Sequence, residues 1–145
     1  MKISTKGRYA VRMLLDIAEH QDNGCVSLND VSKRQNISKK YLEQIVFMLN
    51  RPDILQTTRG YRGGYKLAKP ANRYTIGDIL RITEGSLEPV SCLEGEGEGC
   101  ERADSCITLP VWQGLSKVIN EYLDSITLQD LLDKKKETYE YDYII

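Results

Sequence analysis

Three of the four cysteines in this chain fall in one short polar stretch, CLEGEGEGCERADSC, over residues 92–106. Seven residues separate Cys92 from Cys100, and five separate Cys100 from Cys106. A stretch this rich in Gly and Glu neither packs nor holds a helix. Free cysteine normally behaves as a small buried hydrophobe, so thiols displayed on such an arm point to chemistry rather than packing. The open alternatives are thiolate ligation of an iron–sulfur cluster, reversible thiol or disulfide redox chemistry, and zinc. Zinc favours closely spaced pairs and a complete four-ligand set, and neither is present. Asp104 and Glu101, between the second and third cysteines, are local oxygen candidates on the same arm. Cys25 follows Gly24 in a turn and reads as a half-buried structural residue. His20, the one histidine, reads as a surface residue near the end of the first helix. With one histidine and no local Cys–His pair there is little acid–base machinery, and an enzyme is not expected.

A second set of residues suits a polyanion. Residues 1–87 hold fifteen Lys and Arg against eight Asp and Glu, whereas residues 88–145 hold five against thirteen. A basic front half attracts nucleic acid, and the acidic back half does not. Lys39 and Lys40 suit phosphates. Ser38, Tyr41, Glu43 and Gln44 lie on the same short segment and can face base edges in a major groove. Arg59 and Arg62 sit beside Gly60, Gly63 and Gly64, which let a backbone approach a duplex closely.

The elements that position these residues follow from periodicity and caps. Ser4 precedes a helix with Tyr9, Ala10, Met13, Leu14, Ile17 and Ala18 at helical spacing, and Gly24 marks its stop. Ser27 with Asp30 starts a second helix. Ser38 opens a third over 38–50, with Tyr41, Leu42, Ile45, Val46 and Leu49 on one face and Pro52 as its terminator. The short Asn36-Ile37 link is a helix-turn-helix spacing. The stretch ILQTTRGYRGGYKLAK predicts a glycine-tipped hairpin. Thr75 with Asp78 caps a short helix closed by Gly85. Thr108, with Pro110 in the first turn, begins a long helix striped by Val111, Leu115, Val118, Ile119, Tyr122 and Leu123. Thr127 with Asp130 starts a last short helix, followed by an acidic, aromatic tail expected to be extended. The expected fold is mostly α with a small β wing: a winged helix-turn-helix over 1–87, a cysteine-bearing loop over 88–107, and a long helix, short helix and tail over 108–145. The N-terminus has no uninterrupted apolar signal-peptide core, and no apolar run has membrane-spanning length. A cytoplasmic protein with no membrane partner is therefore expected.

Five stretches, MKISTKGRYAVRMLLDIA, ISKKYLEQIV, TRGYRGGYKLAK, TIGDILRITEG and SITLQDLL, together resemble the IscR/CymR family of bacterial winged-helix regulators over nearly the whole chain. The resemblance implies a homodimer paired through the long helix near 108–125. It also implies binding to a partly palindromic double-stranded DNA operator. It puts Ser38, Lys39, Lys40, Tyr41, Glu43 and Gln44 where the family's recognition helix meets the operator, and Arg59 where its wing enters the minor groove. In the iron–sulfur members a Glu at the place of Glu43 is implicated in how cluster state alters site choice. Cys92, Cys100 and Cys106 take the places of three cysteines that hold a [2Fe–2S] cluster in those members. The first gap is two residues longer than in the family's form, which a loop tolerates. Where those members carry a fourth-ligand His, this chain has Leu109, so the fourth ligand stays open with Asp104 as candidate. The function implied is transcription regulation, as a repressor of iron–sulfur or cysteine-supply genes. The family's other branch senses through cysteine synthase. The terminal DYII of this chain, ending in Ile as serine acetyltransferases do, keeps that alternative open, with the cysteines as a thiol redox sensor or incidental.

Overall fold

Ser4, Ser27, Ser38, Thr75 and Thr127 each turn a hydroxyl onto a free backbone N–H three residues on, at 3.0–3.3 Å. Such caps replace the carbonyl partners that a helix start lacks. The computed structural model of the chain describes residues 1–51, 53–95 and 100–144. The helices so started are α1 (Thr5–His20), α2 (Leu28–Gln35), α3 (Lys39–Leu49), α4 (Ile76–Glu84) and α6 (Leu128–Ile144). Thr75 and Thr127 form full capping boxes, because Asp78 and Asp130 accept in return from their backbone N–H groups at 3.1 and 2.8 Å. α5 (Leu109–Asp124) begins without a side-chain cap from Thr108, with Pro110 in its first turn.

The helix-turn-helix is built on Asn36. It closes α2 in the left-handed region, with φ 53°, a conformation that Asn tolerates better than most side chains. Buried Ile37 then turns the chain into α3, and the Ser32 hydroxyl fixes the Ile37 carbonyl at 2.6 Å. Ala10, Met13, Leu14 and Ile17 of α1 bury against Val31, Leu42, Ile45, Leu49 and Ile79. Asp16, 1% exposed, belongs to the same helix and is neutralised there. Arg34 of α2 grips it through Nε and Nη2 at 3.0 and 2.7 Å, and Gln35 donates to it at 2.9 Å. A buried carboxylate needs such partners.

The wing is an antiparallel pair, β1 (Leu55–Thr58) and β2 (Gly64–Leu67), in register from Leu55 opposite Leu67 to Thr58 opposite Gly64. Val26, just before α2, extends it by exchanging two backbone hydrogen bonds with Tyr65 at 2.8 and 2.9 Å. Tyr74 is 1% exposed and pins the base of the wing: its hydroxyl accepts from Lys69 N at 2.9 Å and donates to the Ile54 carbonyl at 3.0 Å. α3 ends at Leu49, while Pro52, the expected terminator, lies outside the described residues.

The final helix corrects the expected extended tail. Backbone bonds from Ile76 to Ile126 and from Leu128 to Tyr74, at 2.8 and 3.0 Å, join the starts of α4 and α6. Leu128 and Leu132 then enter the common core. Beyond them the helix runs on to Ile144 rather than stopping near Lys136. Residues 133–144 contain no Pro or Gly to break the helix once it has started. Lys135 reaches Glu19 of α1 at 2.7 Å and lies over the Tyr139 ring one turn on. Among the described residues, no helix is long and apolar enough to cross a membrane.

Candidate nucleic-acid interface and cysteine arm

α3 sorts its residues by face. Leu42, Ile45, Val46 and Leu49 are buried, while Lys39, Lys40, Glu43 and Gln44 are exposed. Ser38 is committed to capping Tyr41 N at 3.2 Å, which leaves its hydroxyl proton free to donate outward. Tyr41 is half-buried, its ring edge-on to Tyr9 with centroids 5.6 Å apart, and Arg12 stacks on Tyr9 at 5.1 Å. Among the described residues no cation lies within ion-pair distance of Glu43, so its carboxylate stays available to an outside partner.

Periodicity had put Tyr41, Leu42, Ile45, Val46 and Leu49 on the core face and passed over Phe47. In the structure Phe47 is 87% exposed and shares a shallow hollow with Lys40, Glu43 and Gln44. The signal was available: Phe47 stands four residues after Glu43 and three after Gln44, one face of a helix.

At the wing tip, Gly63 N donates to Gly60 O at 2.9 Å, closing a turn whose two central residues are Tyr61 and Arg62. Arg59 and Arg62 are exposed, and Tyr61 is fully so, another residue the sequence reading did not single out. The glycines have different reasons to be there. Gly60 faces open space with φ +109°. A Cβ on Gly63 would lie 2.2 Å from the Thr58 carbonyl oxygen, and one on Gly64 would lie 2.4 Å from that of Val26. Gly63 is required by the hairpin itself, and Gly64 by the chain before α2 that packs on it.

On the acidic side, Cys92 lies in a short 3-10 turn, Ser91–Leu93, and Cys106 follows another, Ala103–Ser105, which contains Asp104. Cys92, Cys100, Glu101 and Asp104 are exposed, and Cys106 is half-buried. All four cysteines are unpaired thiols. A hydrogen bond with the Thr108 hydroxyl, at 3.3 Å, and then the backbone N–H of Thr108 hold the Cys106 thiol below its ordinary value. A lowered thiol is readier to act as the thiolate that ligates metals. Among the described residues no three Cys, His, Asp or Glu side chains stand close enough to share a metal, so the arm is not gathered. The donor chemistry suits a cluster, and the EGEG that joins Cys92's turn to Cys100 lies outside the described residues.

Cys25 and His20 are held elsewhere. The Cys25 thiol donates to Thr58 Oγ1 at 3.3 Å, at the end of β1 nearest the wing tip. His20 donates through Nδ1 to the Asp16 carbonyl at 2.8 Å.

Residues 3–134 match the family described as Rrf2, iron-dependent transcriptional regulator. The chain belongs to the Rrf2 family. Among Rrf2 relatives, the HTH-type transcriptional regulator IscR of Pectobacterium carotovorum is 40% identical over 136 residues, spanning 94% of this chain and 82% of that protein. The solved structure of T. potens IscR superposes with a TM-score of 0.75 at 36% identity, covering 97% of this chain and 96% of that one. That of CymR, the global cysteine regulator of B. subtilis, gives 0.74 at 36% identity, covering 92% and 98%. This Rrf2 chain is therefore a winged-helix, DNA-binding transcriptional regulator of the IscR/CymR kind. Among the described residues the chain is mostly helical with one two-stranded sheet, in keeping with that kinship and as expected from the residues.

Proposed function

We propose that this Rrf2 protein is a cytoplasmic homodimer that represses genes by binding a partly palindromic operator, with its grip set by a [2Fe–2S] cluster on the cysteine arm. The observation that carries the DNA reading is the exposed face of α3. It is capped by Ser38 and presents Lys39, Lys40, Glu43 and Gln44 without an internal ion-pair partner for the carboxylate. Lysines at the helix start meet phosphates. Gln44 pairs with adenine and Glu43 with cytosine N4. Arg59 enters the minor groove, where negative potential concentrates, with Arg62 on the adjoining backbone. The stripe of Val111, Leu115, Val118 and Tyr122 on α5, exposed by 60, 41, 62 and 64%, supplies a two-fold interface.

The family's description as iron-dependent and the three free thiols support the sensing role. Cys92, Cys100 and Cys106 would hold the cluster, with Asp104 as an oxygen ligand weaker than sulfur for this iron. When bound, the cluster supplies a redox-sensitive cross-link. The chain's own part is to present thiolates on an arm next to the start of α5.

The kinship with CymR supports a second reading, in which cysteine synthase is the partner and the C-terminal tail docks into it. The tail is helical to Ile144, so that docking requires its last turn to unwind. Terminal turns fray at little cost.

Selection of bound sites from a pool of random DNA duplexes tests the central reading. The expected result is a two-fold related site whose binding weakens steeply with salt. Recovery of no preferred sequence at moderate salt would overturn it.

A further inference from the structure

The chain has one phenylalanine, and it is not in the core. Phe47 is 87% exposed although its neighbours Ile45, Val46 and Leu49 are buried. In a helix, side chains lean back over the preceding turn. The ring thus covers the hollow it shares with Lys40, Glu43 and Gln44. An apolar ring in that company faces the same partner as the three polar residues.

What that partner offers a phenyl ring is narrow. A phenyl group forms no ordinary hydrogen bond, and the base edges of a major groove are donors and acceptors with a single apolar exception, the C5-methyl of thymine. Gln44 pairs best with adenine. The thymine opposite that adenine, or one in the next steps, brings a methyl to the same groove. Four residues of helix from Glu43 to Phe47 span about 6 Å, the length of about two base-pair steps. We infer that Phe47 is a specificity-determining residue of this Rrf2 protein, reading a thymine methyl within about two base pairs of the position read by Glu43. The inference rests on the proposed use of α3 as the recognition helix.

The test replaces each thymine of the selected operator, singly, by deoxyuridine, which removes the methyl and leaves every hydrogen-bonding group in place. Affinities are measured for the parent, Phe47→Ala and Phe47→Leu. One methyl withdrawn from an apolar contact is worth about a fourfold change in Kd for one half-site. The parent is expected to lose about that factor at one thymine per half-site. Phe47→Ala is expected to bind the thymine and deoxyuridine versions alike at that position, and Phe47→Leu to keep part of the discrimination. Because Phe47 packs on nothing in the core, both variants should melt like the parent, which the same samples show by circular dichroism. Equal weakening of Phe47→Ala on thymine and deoxyuridine operators, discrimination unchanged from the parent, or a parent indifferent to every thymine methyl would each overturn the inference. They would leave the proposed function standing. A parent that selects no DNA site would overturn both.

Discussion

Arg81 of α4 lays its guanidinium flat on Asp124, the last residue of α5, with Nη1–Oδ1 at 2.8 Å and Nη2–Oδ2 at 2.9 Å. Nη2 also reaches Asn120 at 2.7 Å. A carboxylate at a helix C-terminus opposes the helix dipole, and Arg81 offsets it. The fork helps tie the exposed-stripe helix to the winged-helix body. Gly77 is part of the same joint, because a Cβ there would sit 2.1 Å from Asp124 Oδ1.

The hydrogen bonds from Arg81 hold the Asp124 carboxyl below the usual carboxylate range. The pair is partly solvated, so Asp124→Asn is expected to cost no more than about 1 kcal/mol at neutral pH. A depressed folded value means that this stability is fully present above the unfolded value and is lost as pH falls through the folded one. Urea unfolding of parent and variant should therefore differ at about pH 7 and differ by less at about pH 3, below the usual aspartate value. An equal gap at both would show that the fork is not the source.

Arg59→Ala is expected to weaken operator binding by about 1–3 kcal/mol, and Gln44→Ala to relax preference at one base position by a similar amount. Lys40→Ala should weaken all sequences alike and lower the salt slope by about one. Electrophoretic mobility shifts across a salt series separate these effects. Undiminished binding by Arg59→Ala at moderate salt removes the wing from the interface.

On α5 the exposures choose the better disruptor of the proposed dimer. Ile119 and Leu123 are half-buried, while Val118 is 62% exposed. Val118→Glu disturbs no core contact of the protomer, yet would bury an unpaired carboxylate in a two-fold interface at a cost of several kcal/mol. Sedimentation should show a folded monomer with weakened operator binding. A dimer that survives this charge would place the interface elsewhere.

Replacing Cys92, Cys100 or Cys106 by Ala should abolish iron and sulfide binding after anaerobic reconstitution. It should leave melting unchanged, because none of the three lies in the core. Asp104→Ala should give a cluster that is altered or lost faster in air. Cys25→Ala should do neither, since that thiol faces Thr58. Full occupancy in Cys100→Ala would end the ligand-arm reading, and loss in Cys25→Ala would move the fourth ligand to Cys25.

The local rules carried most of the fold. Ser4, Ser27, Ser38 and the two Thr–Asp boxes announce helix starts from sequence, and each caps as its spacing requires. The wing glycines were legible as a hairpin, but not that Gly63 and Gly64 are required by contacts with Thr58 and Val26. Those contacts are made only in the folded chain. The same holds for the Asp16–Arg34 fork, eighteen residues apart, and for Arg81–Asp124, forty-three apart. Periodicity ranks residues by face and has no term for a partner on another element. It missed the tail for a different reason: the acidic, aromatic ETYEYDYII was expected to be extended, yet it holds no Pro or Gly to stop the helix that begins at Leu128. Phe47 escaped notice because an apolar residue beside a core face is ordinarily counted into it.

The most direct test of the account is the affinity of the anaerobically purified protein for its selected operator, with the cluster loaded and after its removal by chelation, at one salt concentration. A sensor that couples cluster to DNA predicts a change of about 5- to 150-fold between the two states, absent in Cys100→Ala. The same affinity in both states, from a preparation shown to carry iron and sulfide when loaded, would contradict it.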